Sequence, residues 1–361
     1  MSTQIHTTSF LQAAPGSGAN SALSVTLPSV TEGVYNRSLL KRAYPYLMHQ
    51  MFGEQYPLGL RQGQTMVFRR YEKLAQNTIP LTEGVTPTGT SLVKRDYKAT
   101  VKQYGDYVII SDFVDMTHVD PIIQQSVELL GEAMGESMDS VYREYLVIGS
   151  AAYFVKADGT DTTARSTVAG SLCPAAMDEA IQTLKREEAK PFKPMIPGST
   201  GNNTWPVAPC YWALIHTDIE LDLYNNFDIA GASTIRNPST SYMTGLFVPV
   251  EQYSQTGSVM ENEVGKYRNV RFVTSTNTKI HESAGAGSID VYVTLVFGRN
   301  AYGVVPLQRG SGRVILQQAG GNTDPLEQRN TVGWKAAGTA LILNDAWMFR
   351  IEHAKGVLTP A

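Results

Sequence analysis

The stretch LVKRDYKATVKQYGDYVIISDFV, residues 92–114, decides how this chain of 361 residues is read. Val93, Tyr97, Ala99 and Val101 alternate with Lys94, Asp96, Lys98, Thr100 and Lys102. Successive side chains of a strand point to opposite faces, so the segment predicts one long strand with a mostly apolar face and a polar, basic face. A first strand, TMVFRRYEKLA (residues 65–75), precedes it, and Pro80, Gly84, Pro87 and Gly89 supply turn formers between the two. The pair reads as a β-hairpin with a long tip. An isolated two-stranded ribbon is marginal in water because nothing covers its apolar side. This ribbon must therefore lie on its own body or on another subunit.

The tip, LTEGVTPTGTS (residues 81–91), comes close to a phosphate-cradling loop. Thr90 stands where the lysine of G-x-x-x-x-G-K-[ST] belongs, and the loop joins two strands instead of a strand and a helix. Both facts exclude a nucleotide site. No G-x-G-x-x-G, G-x-S-x-G or H-E-x-x-H occurs. The six histidines (His6, His49, His118, His216, His281 and His353) lack ligand spacing and are expected at the surface or at strand ends. In IHTDIE, Thr217 or Asp218 is expected to cap a helix, which explains the proximity of His216 and Asp218 without catalysis. Asp158 and Asp161 in ADGTD mark a tight turn with too few oxygens for calcium. Cys173 and Cys210 form no C-x-x-C and have no nearby histidine; both are expected as buried free thiols. No catalytic, cofactor-binding or metal residue is expected, and no cofactor.

Composition bounds the function further. A formal net charge of -3 argues against a general nucleic-acid binder, which carries a strongly basic face. A charged fraction of only 17% fits a molecule largely covered by partners. The length exceeds what one compact core usually supports, so two lobes, or one lobe with long excursions, are expected. The first residues have neither a basic n-region nor a continuous apolar core, and no apolar run reaches ~18 residues. Synthesis and folding in a cytoplasm are expected, which removes any weight from the acceptor patterns at Asn36 and Asn202.

Residues 1 to about 33 are rich in Ser, Ala, Gly and Thr, with no Lys or Arg before Arg37. Such a segment cannot fold alone, and is either disordered or an arm ordered by a neighbour. Leu39, Leu40, Tyr44, Leu47, Met48 and Met51 follow at roughly helical spacing, interrupted by Pro45. The clearest helix is capped by Asp120, has Pro121 in its first turn, and ends at Gly149. Ile123, Val127, Leu130, Met134, Met138, Val141, Tyr145 and Ile148 form its stripe, and Gly131 and Gly135 admit the close approach of another backbone. Glu128, Glu132 and Glu136 line another face as like charges one turn apart, an arrangement that is destabilising unless a cation lies near. A solvated face is one reading. The sharper one is that Lys94, Lys98 and Lys102 of a neighbouring ribbon lie across it. From about 166 helices and strands alternate: PAAMDEAIQTLKREEAK is an amphipathic helix, YWALIHTDIELDLYN a strand running into a helix, and NVRFVTST and IDVYVTLVFGRNAYGVVPL apolar strands. The closing TVGWKAAGTALILNDAWMFRIEH reads as two strands about Asn344–Asp345.

The order of an arm, a ribbon, a long helix, a mixed lobe and a closing β segment resembles the major capsid proteins of tailed bacteriophages. The residues that carry it are FRRYEKLAQNTIPLTEGVTPTG, VKQYGDYVIISDFVDMTHVDPIIQQSVELLGE, YWALIHTD and VGWKAAGTALILNDAWMFRIEHA, and they look like the N4-like podovirus branch. The resemblance implies an α+β, HK97-like capsid fold. Residues 1–64 would be the N-terminal arm, 65–113 the extended loop (E-loop), and 114–165 a peripheral domain with its spine helix. Residues 166–325 would be an axial domain with a mixed sheet and helices, and 326–361 a return to the peripheral domain. It also implies a virion shell of hexamers and pentamers, weak sequence-independent contact with packaged double-stranded DNA, and a portal as partner. The first 35 residues are too short and too poor in heptads for a scaffolding segment, so a separate scaffold, or none, is expected; a decoration protein is left open, and no membrane is involved. No covalent Lys–Asn crosslink is expected. The residues expected at subunit contacts are Arg69, Arg70, Lys94, Arg95, Lys98, Lys102, Glu128, Glu132 and Glu136. A tail or decoration component, or a cytoplasmic oligomeric enzyme, are the alternatives.

Overall fold

The long strand expected over residues 92–114 is two strands in two different sheets. The computed structural model describes residues 29–43, 46–59, 61–81, 83–84, 86, 89–117, 122–149, 151–192, 209–227, 247–253, 259–260, 262–306, 312–317 and 328–356. Helix α1 (Ser29–Ala43), the single turn α2 (Met48–Met51) and the short strand β1 (Glu54–Gln55) come first. Strands β2 (Thr65–Tyr71), β3 (Lys94–Thr100) and β4 (Lys102–Ser111) follow, then helix α3 (Asp112–Thr117) and the long helix α4 (Ile122–Leu146). Next come β5 (Ala152–Val155), β6 (Asp161–Thr162), α5 (Pro174–Arg186), β7 (Tyr211–His216) and α6 (Glu220–Asn226). Strands β8 (Phe247–Pro249), β9 (Glu263–Tyr267), β10 (Val270–Ser275), β11 (Ile280–His281) and β12 (Val291–Phe297) precede β13 (Tyr302–Pro306) and β14 (Arg313–Gln317). The chain closes with β15 (Arg329–Ile342) and β16 (Met348–His353).

The break at Val101 is a slip in alternation. Tyr97, Ala99 and Val101 turn inward at odd positions of the ribbon, whereas Tyr104 and Ile110 turn inward at even positions of β4. One phase cannot serve both, so the chain bends between them. Strand β3 pairs with β2 from Thr100↔Thr65 to Lys94↔Tyr71, and β4 pairs instead with β15, from Lys102↔Gly338 to Ser111↔Arg329.

Strand β15 is the axis of a five-stranded sheet that also takes β1, β13, β14 and β4. Its inward residues Val332, Trp334, Ala336 and Ala340 lie in one core with Val127, Leu130, Met134 and Met138 of α4. Helix α4 has 25 residues, about 38 Å of rod. Its buried stripe continues through Tyr142 and Leu146 and not through Val141, Tyr145 and Ile148; Ile148 is 75% exposed. Steps of four keep the stripe on the sheet. The helix ends at Leu146, three residues before Gly149, while the Asp120 and Pro121 of its expected start lie outside the described residues. Helix α1 crosses α4 at the two glycines. A Cβ on Gly131 would stand 2.8 Å from the Leu39 carbonyl oxygen, and one on Gly135 would stand 2.7 Å from that of Ala43. The close approach expected at these glycines is made within the chain, by α1.

The larger sheet runs β6-β5-β16-β12-β7-β10-β9-β8, with β11 on the edge of β12. The runs YWALI and VYVTLVF are buried throughout, as in strands covered on both faces. One face, with Ala213, Ile215, Phe272 and Val296, packs under α5 and α6; the other, with Trp212, Leu214, Val273, Leu295 and Phe297, joins the core of α4. Sheet membership does not follow the sequence boundaries at 165 and 325. Strands β13 and β14 pair with β15, while β5 and β16 pair with each other in the larger sheet. The turn at Asn344 consequently joins two sheets and is not a hairpin; Asn344 is buried, and its N–H donates to the Ala301 carbonyl.

Candidate assembly surfaces

Among the described residues the apolar packing of the ribbon of β2 and β3 is confined to its root, with Arg70–Asn344 and Lys73–Glu188 as polar ties to the body. Ala99 is buried with Leu58 and Val305, Met66, Phe68 and Val101 pack on them, and the Phe68 ring meets Tyr56 edge-on at 4.9 Å. Beyond this root every described residue from Lys73 to Asp96 is exposed. Among them Ile79 is 77%, Leu81 75% and Leu92 66% exposed. The glycines of the tip meet nothing: Gly84, at φ +77, and Gly89 have no atom within 4 Å of a would-be Cβ.

The basic side chains expected at contacts are partly spent inside the chain. Arg69 Nε donates to Asp96 Oδ1 at 3.0 Å, and this hydrogen bond, foremost, holds the Asp96 carboxyl below its ordinary range. Arg95 pairs with Glu72, and Arg70 Nη1 donates to Asn344 Oδ1 at 2.6 Å. Lys94, Lys98 and Lys102 are exposed. On α4, Glu132 accepts from Arg42 Nε of α1 at 2.6 Å, and Glu128 lies within electrostatic reach of the same guanidinium. For Glu128 and Glu132 a cation is therefore supplied by the same chain, while Glu136 is exposed.

The five-stranded sheet has one face under α4 and one open. On the open face Tyr107, Gly333 and Ile315 stand in one row across β4, β15 and β14, with Gly105, Lys335 and Arg313 in the next. Tyr107 is 62% and Ile109 52% exposed. Gly333 lets Tyr107 lie close, since a Cβ there would meet the Tyr107 Cβ at 2.9 Å. A groove of about 520 Å³ runs along this face, floored by the two glycines.

Other expectations at polar residues need correction. His49 is neither at the surface nor at a strand end but fully buried in α2, whereas His353, also fully buried, ends strand β16 as expected. His49 N and Nδ1 reach Asp139 Oδ1 and Oδ2 at 2.7 and 2.8 Å, Asn277 Nδ2 donates to the same carboxylate at 3.0 Å, and Tyr302 donates to the His49 carbonyl at 2.7 Å. This network ties α2 to α4 and to both sheets. Its only trace in the sequence is an aspartate inside an apolar stripe. His353 meets Thr294 Oγ1 at 2.9 Å, and burial pushes its pKa down to about 4. Neither Thr217 nor Asp218 caps a helix by its side chain; His216 Nδ1 accepts from the Asp218 N–H at 3.1 Å instead. The tight turn at ADGTD forms as expected, with Asp158 Oδ1 accepting from Thr160 N and Oγ1 at 3.0 and 2.6 Å. Cys210 is buried and Cys173 half-buried, and both are free thiols. His6 and His118 lie outside the described residues. No helix among the described residues is long and apolar enough to cross a membrane.

Comparison with known proteins places this architecture. Solved structures with the same fold include the capsid of Ralstonia phage GP4, at 14% identity and a TM-score of 0.57 over 85% of this chain and 88% of that one. The capsid of cyanophage Pam1 aligns at 15% identity and a TM-score of 0.55 over 95% and 96% of the two chains. The SrpI encapsulin of Synechococcus elongatus aligns at 11% identity and a TM-score of 0.51 over 95% of each. The fold is thus HK97-like. No curated protein sequence matches the chain. A model of the family described as phage capsid protein matches residues 95–351, from the ribbon to the final strand, and the chain belongs to that family.

Proposed function

We propose that the chain is the major capsid protein of a tailed bacteriophage, assembling as hexamers and pentamers into an icosahedral shell around double-stranded DNA. The observation that carries the reading is the ribbon, whose apolar packing lies at its root and which presents exposed Ile79, Leu81 and Leu92 with no cover from the described residues of its own chain. Exposed apolar side chains gathered on one projecting arm mark a protein–protein contact. In a closed shell each copy offers such an arm to one neighbour and receives another, a heterologous contact that closes by symmetry.

The finer features belong to the same proposal. Residues 1–64 form an arm, of which α1 lies along the chain's own spine helix α4, and the ribbon is the E-loop. The N4-like branch, the portal and a separate scaffold, or none, are part of it, as is the absence of Lys–Asn crosslinks. Near-neutral net charge suits a container that must not grip DNA, because each neutralised phosphate adds salt-sensitive affinity. Negative-stain microscopy of the protein, expressed alone and with its own head proteins, tests the reading. Icosahedral shells tens of nanometres across are expected; small discrete oligomers in both preparations refute it.

A further inference from the structure

We infer that β4 is an interface between copies: its open edge pairs antiparallel with the same edge of a second copy of this chain, across a two-fold axis at Tyr107. The five-stranded sheets of the two bodies then become one continuous sheet. This rests on the shell reading, whose icosahedral lattice supplies two-fold axes, and names a body-to-body contact that the ribbon does not make.

Three observations carry it. First, β4 is the one long sheet edge left unguarded among the described residues. An edge strand presents unpaired N–H and C=O groups, and is ordinarily kept short or lined with charge. Strands β1, β6, β8 and β11 have two or three residues each and β14 five, while the ribbon strands carry Arg69, Arg70, Lys94, Arg95 and Lys98. Strand β4 has ten residues, no proline and no bulge in its register with β15. Asp106 is the single charge between Lys102 and Asp112, and Tyr107, Val108 and Ile109 are all exposed. Second, the outward groups are fixed in phase. The Asp112 N–H donates to the Gln328 carbonyl at 3.0 Å, so the even-numbered residues of β4 bond to β15. The N–H and C=O groups of Gln103, Gly105, Tyr107, Ile109 and Ser111 therefore point away from β15. That is the side on which β2 flanks β3, and β2 begins only at Thr65, opposite Thr100. The Tyr107 N–H is held meanwhile by Asp106 Oδ1 at 2.8 Å, a bond to an exposed neighbour that a partner's carbonyl replaces. Third, the edge is complementary to itself. With Tyr107 opposite Tyr107, Gly105 faces Ile109 and Gln103 faces Ser111, so outward-pointing residues meet only outward-pointing residues. Gly105, where a Cβ would stand 2.7 Å from the Trp334 carbonyl oxygen, leaves room for the Ile109 side chain of the second copy. At both ends Lys102 meets Asp112, and opposite charges facing each other across strands are favourable.

The test is disulfide capture with single substitutions in assembled particles of the full chain. Two copies of Tyr107→Cys face each other on the axis, with Cα atoms about 5.5 Å apart, within disulfide reach. Ile109→Cys lies opposite Gly105, so its two copies stand about 14 Å apart along the strand at ~3.4 Å per residue. After mild oxidation of shells verified by microscopy, Tyr107→Cys is expected to move more than half of the monomer band into one reducible dimer band on a denaturing gel. Ile109→Cys and the parent are expected to stay monomeric. Gln103→Cys with Ser111→Cys, another facing pair, gives the same readout if Tyr107→Cys forms no shells. Adding Ile109→Pro to Tyr107→Cys removes an outward N–H and no bond to β15. The melting temperature of the unassembled chain is expected to hold, and the dimer yield to fall at least fivefold. Intact shells in which the facing cysteines stay monomeric, a dimer band of equal strength from Ile109→Cys, or a dimer at full yield despite Ile109→Pro overturns the pairing and leaves the shell reading standing. If the unsubstituted chain forms no shells, the shell reading fails, and the dimer band read on the soluble chain decides the pairing by itself.

Discussion

The carbonyl oxygen of Leu39 lies 2.8 Å from the point where a Cβ on Gly131 would stand. One turn on, Ala43 and Gly135 repeat the relationship at 2.7 Å. Helix α1 is thus packed backbone to backbone on α4, with Leu39 and Ala43 fully buried. Substitution there has an unusual sign. Gly→Ala on an exposed helix stabilises by about 1 kcal/mol. At Gly131 the added methyl must displace a backbone carbonyl, and overpacking of this kind costs about 1–3 kcal/mol. Gly131→Ala is expected to lower the midpoint of urea unfolding, and Gly131→Val to lower it further. A raised midpoint would show that α1 is not seated on α4.

Asp139 carries the second prediction. Its fully buried carboxylate accepts from the His49 N–H and from Asn277, and leaving a buried polar group unsatisfied costs about 1–3 kcal/mol. Asp139→Ala is expected to unfold at markedly lower denaturant, and Asp139→Asn to retain part of the loss because it keeps an acceptor for the His49 N–H. Equal stability of all three proteins would remove the network from the account.

His353 sets an acid limit. Burial holds its pKa near 4 against an ordinary 6.5, so the fold accommodates the neutral ring. Between those values the unfolded chain binds a proton that the folded chain does not. The stability from this site is therefore complete above pH 6.5 and is lost as pH falls toward 4. At about 1.4 kcal/mol per unit, the loss is roughly 3 kcal/mol. His281 and His216, half-buried and also shifted down by burial, act in the same direction. Unfolding free energies at pH 7 and pH 4.5 are expected to differ less for His353→Gln than for the parent by about 2–3 kcal/mol. Equal differences would contradict the assignment.

The ribbon stem makes a contrasting case. Arg69–Asp96 and Lys73–Glu188 are solvent-exposed pairs, and exposed pairs contribute little. Arg69→Ala and Lys73→Ala are expected to leave the melting temperature of the unassembled chain unchanged. A large drop would mean that the stem is part of the folding unit.

How much of this was legible in the sequence depends on the range of the interaction. The inward residues of α4 up to Met138, the turn at Asp158 and the doubly covered strands β7 and β12 follow from local spacing and composition. The glycines of α4 announced a close neighbour, though not which one. The break at Val101 left a weak mark, because Lys102 and Gln103 intervene before Tyr104 restarts the alternation in the other phase. His49 and Asp139 lie 90 residues apart, as do Arg42 and Glu132, and no local pattern relates them. On the ribbon the basic face of the stem was plain from alternation. The apolar tip was not, since Ile79, Leu81 and Leu92 sit in a loop without period.

The most direct test of the central claim is removal of the tip. Deleting residues 80–90 takes away Leu81 and Glu83 but none of the residues described as buried. The account predicts a chain with an unchanged melting temperature and circular dichroism that sediments as small species and forms no shells under conditions where the parent does. Shells of normal yield and stability from the shortened chain would contradict it.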